Sequence, residues 1–355
     1  PSNAFRLLAQ CDVSGNSPVM AMFRYWALAL CIGTAGLAMA QGVASSTPAE
    51  SRSVGDWLLR MHEASRGMTY MGTFVVSSAS GGMSSARIWH ACDGVQQIER
   101  VEALTGTPRS TFRRNDQVIT FLPDSKIART EKRESLGLFP GLLQTLGAPI
   151  ADYYAVQKLG LDRVAGFESE IVQLLPKDQL RFGYRIWSER RTGLVVKLQT
   201  LSPEGQVLEQ SAFSELQLDA PVKMDKLATM MAHTDGYRVE KIEPVKTTAA
   251  AEGWVLRNPV SGFKAVTCYK RPVAGGNGQE GAVQWIFSDG LASVSLFLEP
   301  FDRQRHSQEV LLSMGATQTL TRRLPDKSGE WWLTVVGEVP AQTLKAFAQA
   351  LERRK

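Results

Sequence analysis

Tyr184-Arg185-Ile186-Trp187-Ser188-Glu189 alternates in polarity, so in an extended strand Tyr184, Ile186 and Ser188 face one way and Arg185, Trp187 and Glu189 the other. Each face carries an aromatic ring. An antiparallel sheet built from such strands needs cover on both faces, or it encloses a cavity. The flanking sequence repeats this character: Asp162 to Leu174, Leu180 to Glu189, Gly193 to Ser202 and Val207 to Leu218 read as strands. Their turns are Pro176-Lys177-Asp178, Arg191-Thr192-Gly193 and Pro203-Glu204-Gly205. Turns this short join antiparallel neighbours, because a parallel pair needs a crossover of about a dozen residues.

Towards the N-terminus the pattern continues. Tyr70 to Val76, Ala86 to Ala91, Val95 to Val101, Ser110 to Arg114, Gln117 to Leu122 and Lys126 to Thr130 are short, turn-bounded and rich in Ile, Val, Phe and Trp. Before them, Val54, Trp57, Leu58 and Met61 fall at helical spacing, with Ser51 or Ser53 as N-cap and Gly67 as terminator. A helical interlude with Leu138, Leu142, Leu143 and Leu146 on one face and Pro140 inside it is expected around Leu136 to Leu146. Regularity fades over residues 221–252, where Pro221, Pro244 and Thr247 to Ala251 suggest a linker and Met224 to Met231 a short helix. A second unit, residues 253–355, reads as strands at Phe263 to Lys270, Ala282 to Phe287, Ala292 to Leu298, Ala316 to Leu324 and Glu330 to Val336. It closes with a helix from Pro340 that buries Leu344, Phe347, Ala348 and Leu351.

Residues 1–40 read as an upstream extension and a secretory leader. Met20 and Met22 serve as starts, Arg24 as the basic region, Tyr25 to Leu37 as the apolar core and Ala38-Met39-Ala40 as the cleavage site, leaving Gln41 first. The apolar run is shorter than the roughly 20 residues that span a bilayer. The rest, roughly 315 residues, exceeds what one core supports, so two domains are expected. Cys92 and Cys268 remain after cleavage; they either pair across the domains or stay as two thiols. The formal charge of +5 falls largely in Arg109 to Arg133 and Lys177 to Arg191. In an exported protein this argues against nucleic acid and for acidic lipid headgroups or an acidic protein segment, or simply for solvated strand faces.

No motif argues for catalysis, a metal or a cofactor. Gly276, Gly278 and Gly281 spell G-x-G-x-x-G, but Ala282 to Phe287 reads as a strand where a dinucleotide site needs a helix N-terminus. Ser261-Gly262-Phe263-Lys264 spells S-x-x-K, but Pro259 and Gly262 oppose the helix that pairing requires. The four histidines show no metal-ligand spacing. What stands out is apolar surplus: Phe74, Trp89, Phe121, Phe139, Leu142, Tyr184, Trp187 and Phe213 lie on the strands or on the helix that could roof them. Such a lining holds an acyl chain or packs as ordinary core.

Several stretches together resemble the RseB/MucB family: Asp56-Trp57-Leu58-Leu59-Arg60-Met61 with Thr69-Tyr70-Met71-Gly72-Thr73-Phe74, Gly82 to His90, and Glu99-Arg100 followed by Leu104-Thr105-Gly106. Phe139-Pro140, Gly253-Trp254, the Pro259 to Phe263 turn, Ser288-Asp289-Gly290-Leu291 and Val335 to Pro340 extend the resemblance over the whole mature chain. The second strand block is also similar to the LolA/LolB lipoprotein carriers. The resemblance implies an α+β fold: a large half-open antiparallel β-barrel with covering helices over residues 41–220, a linker at 221–252 and a smaller α+β C-terminal domain. It implies a periplasmic regulator, not an enzyme, that binds the periplasmic domain of an RseA/MucA-type anti-sigma factor, the C-terminal domain contributing to that contact. It further implies shielding of that factor from the site-1 protease, and release on sensing lipopolysaccharide or another acyl lipid. A plain lipid or lipoprotein carrier is the competing reading, against which the second domain speaks. The oligomeric state, a homo-oligomer included, stays open.

Overall fold

A computed structural model of the chain describes residues 53–132, 139–141, 149–272, 281–306, 308–326 and 329–354. Helix α1 (Val54–Gly67) begins at a reciprocal cap: the Asp56 amide donates to Ser53 Oγ at 3.1 Å, and the Ser53 amide donates to Asp56 Oδ2 at 3.0 Å. Two of the orphan donors of the first turn are satisfied in this way. The stripe of Val54, Trp57, Leu58 and Met61 is buried as its spacing requires.

The chain then runs through β1 (Tyr70–Ser78), β2 (Met83–Cys92), β3 (Gln97–Ala103), β4 (Ser110–Arg114), β5 (Gln117–Leu122) and β6 (Ile127–Lys132), an antiparallel meander. After α2 (Ile150–Tyr153) a second meander follows: β7 (Tyr154–Val164), β8 (Phe167–Pro176), β9 (Gly183–Glu189), β10 (Val195–Leu201) and β11 (Val207–Leu218). Pairing of β1 with β11, from Tyr70 opposite Leu218 to Ser78 opposite Glu209, fuses the two meanders. Helix α3 (Met224–Ala232) then leads to β12 (Arg238–Ile242), which adds to β6 in parallel, Arg238 opposite Ile127. The result is a 12-stranded sheet with β12 and β7 at its edges, and these edges are not bonded to each other, so the barrel is half-open.

A second sheet contains β13 (Val245–Lys246) and, beyond β14 (Trp254–Leu256), β15 (Lys264–Pro272), β16 (Gly281–Ser288), β17 (Ser293–Pro300), β18 (Leu311–Met314), β19 (Thr317–Asp326) and β20 (Gly329–Gly337). Helix α4 (Ala341–Ala350) follows, and β21 (Leu351–Arg353) pairs with β14. Leu344, Phe347 and Ala348 of α4 pack into the core of this domain, where Phe347 meets Phe287 at 4.9 Å and Phe263 at 5.6 Å between ring centroids.

Two expectations change. The segment 221–252, read as a linker, is built into both sheets: Leu227 and Met231 of α3 are buried, β12 extends the large sheet, and β13 pairs with β15. The large sheet is therefore not purely antiparallel. The single strand expected from Asp162 to Leu174 is two: β7 runs from Tyr154 to Val164, turns at Ala165 and Gly166, both at positive φ, and β8 starts at Phe167; the register shift between Lys158 and Gly160 and the exposure of Leu159 and Leu161 blur the alternation of β7. Of the expected interlude at Leu136 to Leu146, only residues 139–141 lie within the described residues. Cys92 and Cys268 are free thiols.

Candidate functional site

One face of the large sheet gathers a ring cluster. Phe74 on β1 stands opposite Phe213 on β11, with centroids 6.2 Å apart, and Phe139 closes over both at 5.5 and 5.1 Å. Tyr70, two positions along the same strand face when counted in alternation, meets Phe213 edge-on at 6.4 Å. Phe139 also packs against the neighbouring cluster of α1 side chains with Val172, Leu174, Tyr184 and Ile186. Phe74, Phe139, Phe213 and Tyr184 thus belong to one apolar face roofed by α1.

Gly72 makes this possible. A Cβ there would stand 2.4 Å from the Glu215 carbonyl oxygen and 2.9 Å from the Phe213 ring. Because the obstacle is backbone as well as ring, Gly72→Ala is expected to cost about 1–3 kcal/mol, read as a lowered denaturant midpoint of the large domain.

Of the remaining residues of the apolar surplus, Trp187 shares the buried cluster of Phe74 and Phe213, whereas Trp89 and Phe121 lie elsewhere. Trp187 is buried, but strand alternation turns it away from Tyr184 and Ile186; its indole N–H donates to Asp162 at 2.9 Å and the Lys197 ammonium sits 4.3 Å from its ring centroid. Trp89 and Phe121 are on the opposite face from Phe74, packed with Phe112, Ile119 and Ala128 beneath Leu227 and Met231 of α3. The Arg100 guanidinium lies between Trp89 and Phe112, 4.9 and 5.5 Å from their centroids. Leu142 lies outside the described residues.

The feature that sequence reasoning missed is the domain junction. Arg181, in the loop between β8 and β9, has no solvent exposure. Its Nε donates to Asp289 Oδ2 at 2.9 Å, its Nη2 to the Ser261 carbonyl at 2.9 Å, and its Nη1 to Asp178. The guanidinium lies over Tyr153 at 4.5 Å and near Phe263 at 5.3 Å. Asp289 is equally enclosed and spends its other oxygen on the amides of Leu291 and Ala292, at 2.9 and 2.7 Å. One large-domain cation is thus held by two elements of the small domain. Packing is reciprocal: Leu180 joins the small-domain core, Leu291 joins the core under α1, and Thr343 Oγ1 of α4 donates to the Leu180 carbonyl at 2.7 Å. Burial raises the Tyr154 hydroxyl well above its ordinary range, so that it stays a donor to Asp289 at 3.4 Å.

Among the described residues no group of His, Cys, Asp and Glu could hold a metal ion, and no helix is long and apolar enough to cross a membrane. Gly276 and Gly278 lie outside the described residues, but Gly281 opens a strand where a dinucleotide site needs a helix N-terminus; Ser261 sits in a turn while Lys264 begins β15, so the S-x-x-K residues are not on a helix.

Comparison with known proteins agrees with this architecture. Residues 53–231 match the MucB/RseB N-terminal domain and residues 248–352 the MucB/RseB C-terminal domain. The chain is 27% identical over 329 residues to the sigma factor AlgU regulatory protein MucB of Pseudomonas aeruginosa, covering 90% of this chain and 97% of that protein. It is 22% identical over 313 residues to the sigma-E factor regulatory protein RseB of Escherichia coli K12, covering 87% and 92%. Among solved structures, that of the Pseudomonas aeruginosa MucA/MucB complex superposes with a TM-score of 0.66 at 26% identity, over 85% of this chain and 99% of that one. A structure of MucB alone gives 0.61 at 25% identity, over 84% and 97%. Both domains, in the same order and over nearly their whole length, place this chain in the MucB/RseB family.

Proposed function

We propose that this chain is a non-enzymatic regulator that binds the periplasmic domain of a MucA/RseA-type anti-sigma factor and so restrains an extracytoplasmic-stress sigma factor. The observation that carries the reading is the end-to-end match, through both domains, to a MucB whose structure is solved together with MucA. A lipid carrier needs one apolar cup. Here a second domain is locked to the cup through Arg181 and Asp289, which favours a device in which two domains act together.

In this reading the protein is exported, its leader is removed after Ala40, and the bound anti-sigma factor is shielded from site-1 proteolysis. Lipopolysaccharide or another acyl lipid is sensed at the face formed by Phe74, Phe139, Tyr184 and Phe213. Lipid entering there competes with α1 and Phe139 for the same apolar surface, and α1 packs in the same cluster as Leu291 of the small domain. A ligand shifts an equilibrium only through differential affinity for its two states, so lipid must favour the arrangement in which the junction is loosened. The experiment is cleavage of the cognate anti-sigma factor by its site-1 protease, with and without the protein from Gln41 to Lys355. Protection that lipopolysaccharide removes is expected; cleavage at the same rate with and without the protein would refute the reading.

A further inference from the structure

The smaller domain contains a cavity of about 590 Å3 between the segment 246–250 and strands β15 and β16. Its size lies inside the range of roughly 300–1,000 Å3 typical of ligand pockets. Trp254, Phe263, Cys268, Trp285 and Phe287 give it an apolar wall. Burial, and after it the Glu252 carboxylate, push the Cys268 thiol up to about 11, so it remains neutral there. Val266 is the extra residue of a bulge, between Ala265 opposite Phe287 and Thr267 opposite Ile286, and it lines the cavity while 46% exposed. Bulges of this kind re-aim side chains next to binding sites.

The wall is not wholly apolar. The Trp254 indole N–H and the Thr267 hydroxyl are buried and lack a hydrogen-bond partner among the described residues, and both residues line the cavity. Buried donors left unpaired are costly, so such a pair points to an acceptor that arrives with a ligand. Lys246 lines the cavity from an exposed position. The neighbouring Glu252 is engaged by Lys270 at 3.5 Å and by Thr247 Oγ1 at 3.0 Å.

We propose that this cavity binds a single-chain acyl carboxylate, its chain against Phe263, Trp285 and Phe287 and its head drawn to Lys246 and the Trp254 and Thr267 donors. The site is separate from the face roofed by α1 and does not depend on the anti-sigma reading. Its occupant would be felt at the junction, because Val260 and Phe263 line the cavity while Ser261, between them, accepts from Arg181.

The test is hydrogen–deuterium exchange of the protein from Gln41 to Lys355, without any protein partner, titrated with dodecanoate below its micelle concentration. Protection is expected over residues 246–268. Lys246→Glu and Val266→Glu, both at exposed positions where the fold tolerates charge, should each raise the half-saturating concentration by about tenfold or more, with the melting temperature unchanged. Neutral dodecyl maltoside should give weaker protection. Absence of protection over 246–268, an unchanged half-saturation in either variant, or equal protection by the maltoside would overturn the proposal.

Discussion

Arg181→Ala lowers the stability of the protein by about 3–5 kcal/mol, because it strands the Asp289 carboxylate in a site without solvent access. The loss exceeds what the bond itself contributes. Exchanging a buried pair for well-packed apolar residues is often nearly neutral, whereas removing one partner leaves an uncompensated charge. The double variant Arg181→Met with Asp289→Asn should therefore be less destabilised than Arg181→Ala alone. Arg181→Lys does not rescue the single loss. The arginine directs Nε, Nη1 and Nη2 at three different acceptors on fixed planar geometry, and an ammonium cannot reach all three. Denaturant titration read by far-UV circular dichroism measures the effect. Loss of the junction should also split one transition into two, since Arg181 ties the large domain to both the Ser261 turn and the Asp289 turn of the small one. A midpoint within experimental error of the wild type would show that the junction is not the lock described here.

Phe213→Ala is expected to cost about 3–5 kcal/mol. Phe213 is buried and touches three rings: Phe139 at 5.1 Å, Phe74 at 6.2 Å and Tyr70 at 6.4 Å. Truncation removes its own burial and also the floor under Phe139, which binds the roof to both apolar clusters. The wall cannot collapse freely, because Gly72, a neighbour of the ring on β1, already brings that backbone as close as the ring allows. Phe213→Leu, which keeps most of the volume, should recover more than half of the loss. The denaturant midpoint of the large domain reports both.

Local chemistry made much of the fold legible. The Ser53 cap, the α1 stripe, the alternation of β9 and the closing helix α4 all follow from spacing that no tertiary contact needs to override. The aromatic surplus was legible as a surplus, but its partition was not. Tyr184 and Trp187 differ in face by strand parity alone, whereas assigning Trp89 and Phe121 to the side of α3 requires the pairing register of β2 through β5, which no single strand reveals. Strand β12 was hidden because its partner β6 lies about a hundred residues away and runs parallel to it. Arg181 looked like one of several arginines on a basic stretch. Its burial depends on Ser261 and Asp289, residues 80 and 108 positions distant, and its traces in the sequence were the Pro259 to Phe263 and Ser288-Asp289-Gly290-Leu291 turns, which nothing local connects to it.

The central claim is tested most directly by titrating the protein from Gln41 to Lys355 with the periplasmic segment of its cognate anti-sigma factor in a calorimeter, with and without lipopolysaccharide. Saturable binding that lipopolysaccharide weakens is the predicted result. No heat of binding under either condition, from protein whose melting shows it folded, would contradict the account.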